Sequence, residues 1–130
     1  MTVGLSAAIA NSMLNAYCRN VSWTQPAAFW VKLHTGDPGS AGTSNAATET
    51  TRKQATFAAA SLGVCNTSAD LAWTNVAATE TYSHVSFWTA STAGTFVGSD
   101  ALDTAKAVTA ADSFTIPAGS ASLSLTPLAA

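Results

Sequence analysis

Leu5, Ile9, Met13 and Tyr17 recur at every fourth position, with Ala10 and Leu14 beside them and Asn11, Ser12 and Asn15 turned away. On a 3.6-residue period this is one apolar stripe. It predicts an α-helix over about residues 3–18, capped by Thr2 and ended by Cys18-Arg19-Asn20. A helix this short is marginal alone, so its stripe has to lie on a sheet or on a neighbouring chain. From Trp23 onward the period falls to two. Phe29, Val31 and Leu33 alternate with Trp30, Lys32 and His34, which predicts a strand with one apolar and one mixed face. In 82–88 the same alternation groups His84 with Tyr82, Ser86 and Trp88, opposite Val85 and Phe87.

Further short runs rich in β-branched or aromatic residues fall at 56–60, 71–76, 82–89, 95–98, 105–108, 113–116 and 122–125. Turn signals separate them at Gly63, Asn66, Gly94, Asp100, Asp112 and Pro117-Ala118-Gly119. Short strands so spaced predict a mainly β chain. The expected form is a single-domain β-sandwich or jelly-roll-like barrel over about 27–126 with an N-terminal α-helix, residues 1–130 making one domain. No fixed-period repeat occurs, which argues against a β-helix or a fibre shaft. The stretch 35–51 is long for a loop and carries almost no side chain able to hold it to its own core. It therefore reads as an arm that packs on a neighbour, the alternative being a mobile exposed loop.

Composition sharpens the picture. Ala, Thr and Ser fill 62 of 130 positions, and Leu, Ile, Val and Phe only 24, a level that raises the question of disorder. Disorder normally needs high net charge as well. Here the net charge is −2, so the chain is expected to fold. Charged residues make up 9% of the chain, where a soluble domain typically has ~25%. So little repulsion suits a surface that packs against other subunits.

Charge also limits the chemistry. Five basic residues in an acidic chain, with only Arg52 and Lys53 adjacent, give no track for nucleic acid; that pair is expected to meet Glu49 or Glu80 of the same or the next subunit. Asp37, Asp100, Asp103 and Asp112 stand in separate predicted turns, so turn capping accounts for them and no metal or cofactor site is expected. Cys18 and Cys65 match no metal-ligand spacing and read as free thiols of a protein made in a bacterial cytoplasm. The N-terminus lacks the basic start of a signal peptide, and no apolar run approaches the ~20 residues of a membrane span. His34 is expected to bond Asp37 across the turn, and His84 to be structural. There is no Gly-x-Ser-x-Gly elbow, so no catalytic residue is assigned; a hydrolase would require a serine beside His34 or His84.

One ordered series remains. Lys32-Leu33-His34-Thr35-Gly36-Asp37-Pro38-Gly39 is followed by Arg52-Lys53-Gln54-Ala55-Thr56-Phe57 and by Thr79-Glu80-Thr81-Tyr82-Ser83-His84-Val85-Ser86-Phe87-Trp88. Gly94-Thr95-Phe96-Val97-Gly98, Lys106-Ala107-Val108 and Ala111-Asp112-Ser113-Phe114-Thr115-Ile116 complete it. Over about 29–125 this resembles a family of small virion proteins of tailed bacteriophages, described as tail-fibre-like or minor structural proteins. The chain departs from the family at Ala111-Asp112, where a Gly-Asp turn is usual.

The resemblance implies a non-enzymatic virion subunit, assembled in the host cytoplasm. It would self-associate, with a trimer expected, and contact the major capsid protein or tail proteins, without nucleic acid, membrane or cofactor. A small chain without a shaft leans toward capsid decoration; the family's labels lean toward a minor tail protein. The candidate interface residues are Leu5, Ile9 and Met13 of the helix, Asp37, Pro38 and Gly39 of the turn, and Arg52, Lys53 and Trp88. The alternative is a module binding host glycan or receptor at a tail tip, which predicts solvent-exposed rings among Trp23, Trp30, Trp73 and Trp88.

Overall fold

The computed structural model describes residues 3–125. The helix α1 spans Ala7–Arg19. Its cap is Ser6, whose side chain accepts from the Ile9 amide at 3.3 Å, and it ends at Asn20 in the left-handed conformation (φ 54°). The expected start at residue 3 is thereby corrected, and the expected cap Thr2 lies outside the described residues. Gly4–Leu5 instead form a strand, β1, paired antiparallel with Ser99 and Gly98. Gly98 explains why. A Cβ there would stand 2.5 Å from the Gly4 carbonyl oxygen and 2.9 Å from the Leu123 side chain, so only glycine lets the two backbones approach. Gly98→Ala is expected to push β1 off the sheet and loosen α1 behind it. Hydrogen exchange should then rise at the Ser6 amide, which bonds the Val97 carbonyl at 2.8 Å, more than at amides deep in the sheet.

The remaining strands are β2 (Phe29–His34), β3 (Lys53–Ala55), β4 (Val64–Asn66), β5 (Leu71–Trp73), β6 (Glu80–Trp88), β7 (Phe96–Val108), β8 (Phe114–Ile116) and β9 (Ser122–Ser124). Five of them make one antiparallel sheet in the order β1-β7-β6-β2-β3; β4 pairs with β9 and β5 with β8. The chain is thus mainly β with one N-terminal helix, as the pattern predicts. No closed barrel forms among the described residues, and the arrangement is compatible with a β-sandwich.

Three local expectations are corrected. Residues 56–60 are not a strand; Phe57 makes a single bridge to Thr67, while β3 lies just before it. β4 has no counterpart in the predicted runs. The runs 95–98 and 105–108 are one strand, β7, so Asp100 sits within a strand and not in a turn. Its carboxylate accepts from the Ser122 amide at 2.8 Å and the Ser122 hydroxyl at 3.3 Å, which makes an acid tolerable there, and burial raises its pKa above the ordinary carboxylate value. Beyond it β7 bulges: Tyr82 pairs with Lys106 and His84 with Ala101, leaving the four residues 102–105 opposite Ser83 alone.

The core follows from the alternation. Val31 pairs with Phe87 and Leu33 with Val85, and all four are fully buried. Leu71, Trp73, Phe114 and Ile116 of the β5–β8 pair join the same cluster. Phe57 meets Phe29 edge-on at 5.6 Å and Phe87 at 5.8 Å, which ties the stretch after β3 to the sheet. Burying each such side chain contributes about 1.5–3 kcal/mol.

Candidate functional site

The other face of the large sheet carries Trp30 beside Trp88, Lys32 beside Ser86 and His34 beside His84. The loop 35–51 folds back toward this face, correcting the expectation that it has almost no hold on its own core. The Thr35 amide donates to Asn45 at 2.9 Å and the Ala47 amide to Leu33 at 3.2 Å, while Pro38 is fully buried. Asp37 accepts from the Gly39 amide at 2.9 Å, and Ser44 donates its amide to the Pro38 carbonyl at 2.9 Å. Gly42 lies beneath the Phe96 ring, which packs on Trp88 at 5.5 Å. Of the three turn candidates, Pro38 is therefore an internal anchor, whereas Asp37 and Gly39 are half-buried.

Two carboxylates hold the end of the loop. Glu80 accepts from the amides of Thr48 (2.9 Å) and Glu49 (3.3 Å), and the buried Glu49 accepts from the amides of Thr51 (3.0 Å) and Ala77 (3.2 Å). These acids serve the backbone of a segment poor in side chains, so Arg52 does not meet them as expected. Its guanidinium lies 4.3 Å from the Trp88 ring centroid and donates to the carbonyls of Ala90 (2.8 Å) and Ala93 (2.7 Å). Arg52 and Trp88 thus come together, both in support of the turn after β6. Lys53 pairs with Val31 in β3, away from that contact.

At the centre of this face is a chain of hydrogen bonds. His34 does not reach Asp37. Its Nδ1 is 2.9 Å from the Ser44 carbonyl oxygen, and its Nε2 is 2.7 Å from Ser86 Oγ, which also receives the Trp88 indole N–H at 2.7 Å. His84 Nδ1 is 2.9 Å from Ser83 Oγ, and its Nε2 is buried with no partner among the described residues. A serine therefore stands beside each histidine, the arrangement a hydrolase requires. Yet His34 and Ser86 are fully buried, and His34 leans on a carbonyl where a catalytic base would lean on a carboxylate. Tyr82, grouped with these residues by alternation, lies with its ring 5.0 Å from Phe114. Burial first, then the Glu80 and Glu49 carboxylates near its hydroxyl, push its pKa up to about 12.

A second candidate surface surrounds α1. Leu5, Ile9 and Met13 are half-buried and line an apolar cleft of about 310 Å³ with Trp23, Phe29 and Leu123. Tyr17, the fourth member of the predicted stripe, is 86% exposed, and Leu14 is 60% exposed. Val21 and Leu62 are exposed as well, and Arg19 is the only charged residue in the helix. The glycan alternative required solvent-exposed indoles. Trp73 and Trp88 are buried, and Trp23 and Trp30 half-buried.

The model of one protein family, described as podophage GP4 fiber I protein gp80, matches residues 4–124. No curated protein matches the chain.

Proposed function

This chain belongs to the podophage GP4 fiber I protein gp80 family and is thus a phage fibre-type structural protein, a component of the virion; from that premise we propose that it is a non-enzymatic, self-associating subunit of the fibre or tail exterior. Between a tail position and capsid decoration, the family's description favours the tail. The burial of both histidines and of Ser86 supports a structural use of those residues. The observation that carries the reading is the outer side of α1. Leu14 and Tyr17 are large apolar residues presented to solvent by a helix whose only charge is Arg19, and Val21, just past its end, is exposed as well. Scattered single apolar residues need no explanation, but several along one helix and its exit point to a contact surface. The partner in this reading is a second and third copy of the same chain, in a closed three-fold assembly.

Light scattering on the purified chain is expected to give a trimeric mass, and the double substitution Leu14→Lys, Tyr17→Lys to give a folded monomer with an unchanged circular dichroism spectrum, since both sites are exposed in the single chain. A wild-type chain that is monomeric in solution and in the particle would reject the reading. So would a double variant that still associates.

A further inference from the structure

We infer that His34, with His84 opposite it, is an acid-sensitive latch that holds the loop 35–51 on the sheet at neutral pH and releases it on acidification. The Ser44 carbonyl can only accept, so the proton of His34 is on Nδ1 and Nε2 is the acceptor. Ser86 Oγ already receives the Trp88 N–H, and its own hydroxyl proton satisfies His34 Nε2. Each of the three bonds in the chain Trp88–Ser86–His34–Ser44 thus has one donor and one acceptor, and only with a neutral imidazole.

A second proton on His34 breaks this arrangement. Nε2–H and the Ser86 hydroxyl would both be donors across 2.7 Å, inside a site where both residues are fully buried. The hydroxyl would have to turn away from its only acceptor in the chain.

The surrounding charges do not compensate. Lys32 on the same strand and His84 on β6 both disfavour a positive His34, and Arg52 lies on the Trp88 ring at the other end of the chain. Lys53 is two strands from His84, in β3. The carboxylates of the adjoining elements accept from backbone amides: Asp37 from Gly39, Glu49 from Thr51 and Ala77, Glu80 from Thr48 and Glu49, Asp100 from Ser122. The hydrogen bonds of the two imidazoles go to Ser44, Ser86 and Ser83.

The direction of the pH effect follows. Burial, the largest cause, holds the His34 pKa below its ordinary value of 6.5, so the opened loop binds more protons than the closed one. Closure is fully favoured above about 6.5 and weakens as pH falls from there toward the depressed pKa of the closed form. The device is independent of the fibre reading, because it rests on bonds within one chain.

The test is hydrogen exchange on the intact protein between pH 7.5 and 5, corrected for the intrinsic rate. The reporters are the amides of Thr35 and Ala47, which bond Asn45 and Leu33 across the closure. Their opening is expected to rise by up to about tenfold per pH unit below about 6.5, one proton being taken up per opening. Amides of the central strand β6, such as Val85, should not change with them. His34→Gln, which keeps a donor for Ser44 and cannot titrate, is expected to abolish the dependence. A pH-independent Thr35 and Ala47 in the wild type would overturn the latch, as would an unchanged dependence in His34→Gln. If that variant does not fold, side-chain nitrogen NMR on the wild type decides: a neutral Nδ1–H tautomer with a midpoint below 6.5 supports the latch, and a midpoint at or above 6.5 overturns it.

Discussion

Phe87→Ala is expected to destabilise the fold by about 3–5 kcal/mol, a large part of the roughly 5–15 kcal/mol that holds a folded chain together. Phe87 is fully buried, pairs with Val31 across the centre of the five-stranded sheet and carries Phe57 on its ring. Its loss removes the transfer free energy of a whole ring. It also leaves a cavity between β2 and β6 that rigid neighbours cannot close. The urea midpoint should fall accordingly, while Leu62→Ala, at a side chain 81% exposed, should leave it within about 0.5 kcal/mol. A Phe87→Ala midpoint close to wild type would mean that the core is not centred on this sheet.

Gly42→Ala should be the most damaging change in the loop. Gly42 has φ +71°, and a Cβ there would sit 2.3 Å from Cδ1 of Phe96 and 2.8 Å from its Cγ. The first fact costs about 1–2 kcal/mol for any L residue. The second forces the Phe96 ring off Trp88, and with it the contact that closes the loop. The two contributions can be separated. In a Phe96→Ala background the clash is absent, so Gly42→Ala should cost only the backbone part, and the difference between the two backgrounds measures the clash. Equal costs in both would show that the loop does not rest on Phe96.

The sheet was legible where side chains alternate cleanly. Phe29 to His34 needed nothing beyond its period, because neighbouring strands cover both of its edges. β1 was not legible: two residues have no period, and their place depends on the missing side chain of Gly98, 93 positions after Leu5. Asp100 read as a turn because its partner Ser122 is remote in sequence. The stripe gave three of its four contacts with the cleft and failed at Tyr17, which the cleft does not reach and which is exposed.

At the candidate site, types of residue were legible and pairings were not. Arg52 and Lys53 stood out by charge, yet Arg52 went to an indole and two carbonyls, while the acids served amides that no sequence pattern marks as needing them. The His34–Ser86–Trp88 chain joins two strands 52 positions apart. The only signal for it was the shared parity of Ser86 and Trp88 with His84.

The pairing of β1 with β7 also has a consequence for synthesis. Gly98, the partner of Leu5, leaves the ribosome only about 5–20 s after it at ordinary bacterial elongation rates. Throughout that interval Leu5, Ile9 and Met13 have no sheet to lie on. The nascent chain therefore displays its most apolar stripe while it is least able to cover it. A ribosome-associated chaperone, or the stripe of another nascent copy, would meet it then.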